Sequence, residues 1–223
     1  MKKISTIIAL SAILSSTIVY ADSGFVSAGP KIGSQGIGAD VRTPLSEKFF
    51  VRAGVNYFKY SQKFTSGQIN SKGKLTLLSV PVMIDWHPVE KSGFKVSAGL
   101  AYNGSKLKTR STPTKAVVID GVTIQPNQIG SVTSKLTLGN SIAAIASVGY
   151  DSSFVERGGF SFNAEAGLMY SGDPKLSTSF NGLAKDDAKI KDLINKDAKK
   201  ALDSVKKYLR FYPVFSVGVR YTF

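Results

Sequence analysis

The sequence contains no cysteine and only one histidine among its 223 residues. The absence of cysteine excludes thiol nucleophiles, iron–sulfur clusters and zinc sites with thiolate ligands. A single imidazole group, that of His87, excludes every site that needs two. The chain is long enough to form a core without disulfide bonds. We therefore expect neither a bound metal ion nor a cofactor.

Acidic residues are also few, since 15 Asp and Glu stand against 29 Lys and Arg and leave a formal net charge of +14. A positive balance of this size indicates an anionic partner, such as nucleic acid, a membrane surface or an acidic molecule. Beyond the first 20 residues, no segment reaches the ~20 apolar residues that a membrane-spanning helix needs. The remaining choices are a soluble protein and a membrane protein built from strands.

The N-terminal segment has the pattern of a secretory signal peptide. Two lysines precede an apolar run, Ile4–Tyr20, and Ala21 is the small residue expected at a cleavage site. Cleavage after residue 21 leaves a mature chain of residues 22–223. An uncleaved membrane anchor is the alternative, but the run is short for it. Because a secreted protein does not meet chromosomal DNA, we expect no nucleic-acid partner.

Seven segments alternate between apolar and other residues, which is the period of a β-strand with one apolar face. From Phe49 to Phe58, the apolar face carries the odd-numbered residues, and the other face includes Arg52 and Asn56. The remaining segments begin at Ile37, Leu78, Phe94, Leu138, Phe160 and Phe211. A soluble β-sandwich alternates in the same way, so the alternation alone does not indicate a membrane.

Aromatic residues at the ends of the apolar faces favour a membrane β-barrel. Rings at both ends of a strand suit the two membrane–water interfaces. The predicted interface residues are Trp86, Phe94, Tyr102, Tyr150, Phe160, Tyr170, Tyr221 and Phe223. The last strand also resembles the C-terminal signal of bacterial outer-membrane barrels, which implies the barrel assembly machinery as a partner. A soluble periplasmic β protein is the alternative.

The lengths of the connections predict the topology. Short connections occupy residues 44–48, 87–93 and 151–159, and long ones occupy 59–74, 104–135 and 171–210. Outer-membrane barrels have short periplasmic turns and long extracellular loops. A periplasmic N-terminus then requires one more strand, for which Gly24–Ile32 is the candidate. The predicted fold is all-β, an eight-stranded antiparallel up-and-down transmembrane β-barrel over residues 22–223.

Seven ionisable residues fall on the polar faces of the strands, in the half near the short turns. They are Asp40, Arg42, Arg52, Asp85, Lys95, Glu165 and Arg220. Buried charges persist only when they are paired, so the pattern predicts a lumenal salt-bridge network. Such a network is either a satisfied polar core or part of a gated pore or ligand-binding lumen. Nearer the long loops, Phe58, Leu77 and Met83 beside small residues indicate an apolar pocket that opens outward.

Two long loops contain elements of their own. Asp120-Gly121 lies between two short β-rich runs and predicts a hairpin. Residues 184–209 have apolar residues at helical spacing, with acidic residues first and basic residues last, as the helix dipole favours. We predict an extracellular amphipathic helix that caps the barrel mouth, lies on anionic lipopolysaccharide or binds a partner protein. A solvated helix that rests on the barrel rim is the remaining alternative.

No pattern in the sequence indicates catalysis. His87 lies in a short turn at the predicted periplasmic end, whereas lipid-modifying barrels of the outer leaflet have their site at the outer end. We interpret His87 as a turn or interface residue. Asp186 and Asp187 lack a clustered metal-ligand spacing. No catalytic, cofactor-binding or metal-binding residue is assigned, and we expect no enzymatic activity.

Three stretches carry a resemblance to a known family. They are Asp85-Trp86-His87-Pro88, the segment from Gly93 to Asn103, and Tyr212-Pro213 with the terminal Tyr-x-Phe. They resemble small, mostly uncharacterised proteobacterial outer-membrane barrels, similar in architecture to OmpW, OmpX and the OmpA membrane domain. The resemblance implies a fold and an outer-membrane location, but no activity and no functional residues.

The patterns together support one leading hypothesis of function. We expect a surface-exposed outer-membrane protein that binds or passes a small apolar molecule, with membrane lipid and lipopolysaccharide as further partners. An adhesin or structural protein that acts through the long loops is one alternative. A soluble periplasmic β protein is the other.

Overall fold

The structure is a computed structural model and describes residues 26–66, 69–119, 122–155, 158–183 and 187–223. The predicted signal peptide lies outside the described residues. So do Gly24 and Phe25 of the predicted first strand, the Asp120-Gly121 turn, and Asp186.

The described residues form thirteen β-strands, two α-helices and one short 3-10 helix, Ser152–Phe154. The strands are β1 Ser27–Gly33, β2 Gly36–Pro44, β3 Phe49–Ser66, β4 Ile69–Trp86, β5 Phe94–Asn103, β6 Lys106–Pro113, β7 Val117–Ile119, β8 Val122–Ile124, β9 Val132–Thr137, β10 Ile142–Asp151, β11 Gly159–Tyr170, β12 Lys175–Phe180 and β13 Phe211–Thr222. The helices are α1 Pro126–Ile129 and α2 Ala188–Leu209.

Eight of the strands pair in a closed ring. The antiparallel order is β1, β2, β3, β4, β5, β10, β11 and β13, and β13 pairs again with β1. Ala28 on β1, for example, lies opposite Tyr221 on β13 and Val41 on β2. Closure pairs the ring portion of each strand on both sides, so the ring itself has no free edge. The predicted all-β antiparallel class is confirmed.

The total number of strands exceeds the predicted eight because the long connections are themselves largely strand. The segment from Ser79 to Trp86 of β4 pairs with β5, and the segment from Ile69 to Thr76 of β4 pairs with β6. Strands β9 and β12 follow beside β6. We call the five-stranded region formed by residues 59–66, 69–76, 106–113, 132–137 and 175–180 the extension sheet.

Burial in the ring is reversed relative to a soluble protein. On β5, Leu100 is 59% exposed on the outer face, whereas Lys95 and Ser97 on the inner face are each 1% exposed. A contiguous apolar outer surface of this kind is typical of proteins that contact lipid. No helix in the described ranges is long and apolar enough to cross a membrane.

Helix α2 begins at Ala188, four residues after the predicted start of the helical segment at residue 184, and ends at the predicted Leu209. The Asp187 carboxylate accepts hydrogen bonds from the backbone N–H groups of Lys189 and Ile190, at 2.9 and 3.3 Å. Lys206 and Lys207 lie in the last turn, where cations suit the helix dipole. The helix lies against β12, β13 and β7. The last long connection therefore returns over the end of the ring at which the long connections emerge.

Candidate functional site

The seven predicted interior charges all lie on the inner face of the ring and are 9% exposed or less. Hydrogen bonds and ion pairs connect them into one cluster, which we call the charge network. Strand β2 carries two of its members, Asp40 and Arg42, because inward positions recur every second residue.

Arg52 is the centre of the charge network. Its Nε lies 2.9 Å from Asp85 Oδ2, and its Nη2 lies 2.7 Å from Glu165 Oε2. Second contacts of 3.1 and 3.2 Å make the guanidinium bidentate to both carboxylates. Lys95 Nζ adds longer contacts to the same two groups, at 3.4 and 3.5 Å. Planar two-point pairing of this kind is the strongest form of ion pair that a side chain can make.

Arg220 organises the second part of the network. Its Nε donates to Asp40 Oδ1 at 2.6 Å, and its Nη1 donates to Asp151. Lys31 Nζ lies 3.2 Å from the other oxygen of Asp40. Lys31 and Asp151 are missing from the predicted set, although strand alternation could have found both. Tyr150 faces outward, so its neighbour Asp151 faces inward, and the same holds for Ile32 and Lys31.

Arg42 and His87 close the short-turn end. Arg42 Nη2 lies 2.6 Å from His87 Nε2, and Arg42 lies over the Phe50 ring with 3.6 Å between the guanidinium carbon and the ring centroid. His87 stacks on Phe154 with ring centroids 4.1 Å apart. The guanidinium can only donate, so the imidazole accepts this hydrogen bond and is neutral.

The interpretation of His87 as a turn or interface residue is incomplete. His87 does lie in the β4–β5 connection, but its side chain points inward and is fully buried. Burial, together with the nearby Arg42 charge, lowers the pKa of His87 to about 4. The sequence does not show whether a turn folds inward or outward, since turns lack the alternation that orients strand residues.

An apolar layer lies next to the charge network toward the long connections. Its buried members are Met83, Ala101, Ala143, Ile145, Met169 and Val214, with Tyr212 packed against them. The Tyr212 hydroxyl donates to the Ser34 carbonyl at 2.5 Å. Buried side chains thus fill the described interior from the short turns up to this layer.

Beyond the apolar layer lies a cavity of about 250 Å³, which we call the mouth cavity. Its lining residues are Gln35, Leu77, Ser79, Asn103, Ser105, Leu138, Met169, Ser171, Tyr208, Leu209, Phe211, Tyr212 and Pro213. Tyr208 and Leu209 come from the last turn of α2. Of the residues expected in an apolar pocket, Leu77 lines the cavity, Met83 belongs to the layer below, and Phe58 is 40% exposed.

The eight predicted interface aromatics are all exposed on the outer wall, by 40% to 78%. Phe94 lies opposite Tyr150 near the short turns, and Tyr170 lies opposite Phe211 near the long connections. Phe94 and Tyr102 are eight residues apart, or about 27 Å along the strand. A tilt of about 40° reduces this to a height of about 21 Å, close to the ~25 Å apolar band of outer-membrane barrels.

Two further surfaces bear on the choice of site. A wider groove of about 760 Å³ lies on the outer wall among Ile32, Val148 and Phe215, where the surface is apolar. Within the described ranges, no group of three or more His, Cys, Asp or Glu residues could hold a metal ion. The mouth cavity is therefore the candidate for a ligand, and the charge network is the structural element beneath it.

Comparison with known proteins identifies the fold but no family. No family model and no curated protein matches the chain. The chain is similar to the crystal structures of CarO and CarO2 from Acinetobacter baumannii, at 18% and 21% identity and TM-scores of 0.54 and 0.57. The matches cover 88% and 89% of this chain, and 97% and 98% of those proteins.

A major outer membrane protein from Thermus thermophilus is also similar, at 14% identity over 90% of this chain and 98% of that one, but its TM-score is only 0.38. CarO and CarO2 are outer-membrane β-barrel proteins. The chain therefore has the fold of that class. The finer resemblance to the OmpW, OmpX and OmpA group stays a prediction.

Proposed function

We propose that the chain is an integral outer-membrane β-barrel of eight strands that binds a small, largely apolar molecule in the mouth cavity. The observation that carries the proposal is the position of this cavity. It lies at the end of the ring where the long connections emerge, its lining includes Tyr208 and Leu209 of α2, and it ends below at the apolar layer.

The outer wall supports the membrane location. Its exposed apolar residues and its aromatic rings at two heights would be costly in water and are favourable in lipid. A soluble periplasmic protein would have to cover this wall with another partner. Membrane lipid and lipopolysaccharide are accordingly the first proposed partners, and the C-terminal strand is the proposed contact for the assembly machinery.

The lining of the mouth cavity indicates the class of ligand. Leu77, Met169, Leu209 and Tyr212 supply apolar surface, while Asn103 is one of a few polar groups. Ligand sites combine a predominantly apolar lining with a few polar groups that orient the molecule. A water molecule occupies about 30 Å³ in the liquid, so the cavity volume of 250 Å³ corresponds to about eight waters. A ligand of this size is a single aromatic or short aliphatic molecule.

Binding is favoured over free passage. The charge network and the apolar layer occupy the interior below the mouth cavity with side chains that are nearly all less than 10% exposed. A ligand that enters the cavity would therefore stop at Met83 and Met169 unless these layers rearrange. We expect the wild-type protein to show no steady conductance in planar bilayers.

The test compares two adjacent residues of β4. Leu77 lines the mouth cavity, whereas Leu78 lies on the opposite face of the same strand. Saturation-transfer NMR in lipid nanodiscs would measure binding of uncharged aromatic molecules up to the size of naphthalene. Leu77→Trp should abolish saturable binding because the indole fills the cavity, and Leu78→Trp should leave it unchanged.

Absence of saturable binding to the wild type, or equal binding by both variants, would contradict the proposal. Heat-modifiable gel mobility serves as the folding control, since only a closed ring migrates differently before and after boiling. A variant that lacks this shift is replaced by Leu77→Phe, which fills less of the cavity.

A further inference from the structure

The extension sheet contains nine basic residues and no acidic residue. The strand registers place all nine on one face, which we call the basic face. They are Lys59, Lys63, Lys72, Lys74, Lys106, Lys108, Arg110, Lys135 and Lys175. All nine are exposed. No ion pair joins any of them to a carboxylate in the part of the chain that the structure describes.

Basic side chains stand directly opposite one another on this face. Lys108 lies between Lys74 and Lys135 on the neighbouring strands, and Lys72 lies opposite Lys63. Directly opposed residues have Cβ atoms about 5 Å apart, so like charges repel and destabilise the sheet. An anionic group bound between them would turn the repulsion into attraction. The arrangement is therefore better suited to a bound anion than to water alone.

The other face of the extension sheet is different in character. A row of leucines crosses it, in which Leu75, Leu107, Leu136 and Leu176 lie opposite one another on successive strands. These leucines are partly buried, whereas the basic residues are exposed. The sheet is thus amphipathic, and its charge is concentrated on the outward side.

The basic face continues the lipid-facing wall of the ring. On β3, Tyr57 is the last aromatic residue of the outer wall, and Lys59 is the next residue on the same face. Two residues correspond to about 7 Å along a strand. Lys59 belongs to the row of basic residues that is nearest to the ring. The register places Lys59 and Lys106 opposite Thr76, and it places Lys106 and Lys175 opposite Thr137, so these three lysines form one row. In the proposed orientation, this row lies at the height of the outer-leaflet head groups.

A groove at the far end of the basic face has the right groups for phosphate. It has a volume of about 360 Å³, and its lining includes Lys63, Lys72 and Arg110 beside the hydroxyl groups of Thr65 and Thr112. Guanidinium groups bind phosphate oxygens through two parallel hydrogen bonds, and lysines add point charges. The Thr65 hydroxyl donates to Asn70 Oδ1 at 2.9 Å, so the Thr112 hydroxyl is the one that can serve as a further donor.

We propose that the basic face binds the phosphate groups of an anionic glycolipid in the outer leaflet, of the lipopolysaccharide type. The inference rests on the proposed membrane location. It assigns the anionic partner to the extension sheet instead of α2, for which contact with lipopolysaccharide is one of the alternatives that the sequence leaves open. The lipid is the committed source of phosphate because the basic face is continuous with the lipid-facing wall.

The experiment measures binding of diphosphorylated and dephosphorylated lipid A to the full mature protein in a neutral detergent. Inorganic polyphosphate is the soluble probe. The test variant carries Lys72→Glu, Lys108→Glu and Lys135→Glu. These changes reverse the charge in the middle row of the basic face, at Lys108 and Lys135, and in the groove, at Lys72.

The control variant carries Lys189→Glu, Lys196→Glu and Lys199→Glu. All three control lysines are exposed on α2, so net charge changes by the same amount as in the test variant. A third variant, with glutamine at the three test positions, removes the charges without introducing new ones.

We expect the test variant to bind diphosphorylated lipid A roughly tenfold more weakly or worse. The affinity of the control variant should stay within about threefold of the wild-type affinity, because charges beyond ~10 Å are screened at moderate salt. The affinity of the glutamine variant should lie between the affinities of the test variant and the control variant. Dephosphorylated lipid should bind all forms weakly, and wild-type affinity for the phosphorylated lipid should fall as salt rises.

Three results would overturn the inference. They are an unchanged affinity in the test variant, an equal loss in both glutamate variants, and tighter binding of polyphosphate than of the lipid. Membrane fractionation of the same variants separates the two proposals. A protein found in the outer membrane that fails the lipid test refutes only the basic-face inference, whereas a soluble protein refutes the proposed function itself.

Discussion

Replacement of Arg52 by methionine is the sharpest perturbation of the charge network. Arg52 makes three contacts to Asp85, at 2.9, 3.1 and 3.3 Å, and two to Glu165, at 2.7 and 3.2 Å. Methionine keeps much of the apolar stem but leaves both carboxylates buried without their central partner. Lys95 remains 3.4 and 3.5 Å from them. Arg42 remains 3.8 Å from Asp85, and the Ser216 hydroxyl donates to Glu165 at 3.1 Å. Removal of one partner from a buried ion pair costs about 3–5 kcal/mol. We expect Arg52→Met to lower the free energy of unfolding by that amount.

The assay is urea unfolding in phospholipid vesicles, followed by the fluorescence of the only tryptophan, Trp86. This residue lies on the outer wall and is 43% exposed to solvent in the isolated chain, so its emission should report loss of lipid contact. Lys48→Met is the matched control. It breaks an exposed 2.8 Å ion pair with Glu90, and such pairs contribute about 0–1 kcal/mol.

The double variant Arg52→Met with Glu165→Gln tests the cause. Neutral glutamine at position 165 removes one of the two carboxylate charges that lose Arg52 as a partner, so the double variant should lose less stability than the sum of the single variants. If Arg52→Met costs no more than the Lys48→Met control, or if the two losses simply add, the interior charges do not act as a coupled network.

Two further predictions follow from the short-turn end and the last strand. The pKa of His87 is about 4 in the folded protein and about 6.5 in the unfolded chain. The neutral imidazole therefore contributes its full share to the free energy of unfolding above pH 6.5. This contribution is lost as the pH falls from 6.5 toward 4. His87→Gln should therefore show a flatter loss of unfolding free energy between pH 7 and 4.5, and a slope equal to wild type would contradict the buried neutral imidazole. Phe223→Ala should reduce the amount of protein in the outer-membrane fraction several-fold, while Phe215→Ala, at another exposed position of the same outer face, should not. Equal yields for both would remove the special role proposed for the terminal aromatic.

Strand alternation predicts which strand residues lie inside the ring. Successive side chains of a regular strand point to opposite faces, so the position of one residue fixes the face of all the others. Because Val51 and Ala53 lie on the outside, Arg52 lies inside. The same rule would have added Lys31 and Asp151. His87 could not be placed in this way, because the conformation of the turn decides whether its side chain is buried.

Sequence alternation does not predict the extension sheet, for a different physical reason. Its strands alternate between basic and small or apolar residues, as in Lys106, Lys108 and Arg110, and polar repeats of this kind do not resemble half-buried strands. Their pairing becomes favourable only because β4 continues past the ring and offers free backbone groups to β6. Strand β9 then pairs with β6, and β12 pairs with β9. Sequence periodicity reports burial, so it detects a strand with one apolar face more readily than an exposed strand.

The central claim is a membrane-embedded ring whose extension sheet lies outside the cell. It is tested most directly by cysteine labelling, for which the absence of native cysteine is an advantage. Thr65→Cys, in the extension sheet, and Ser46→Cys, in the short β2–β3 turn, are both at exposed positions. We predict that a membrane-impermeant maleimide added to intact cells labels Thr65→Cys only and labels both after the outer membrane is permeabilised. Labelling of Ser46→Cys but not Thr65→Cys on intact cells would contradict the orientation, and labelling of neither, with the protein in the soluble fraction, would contradict the membrane location.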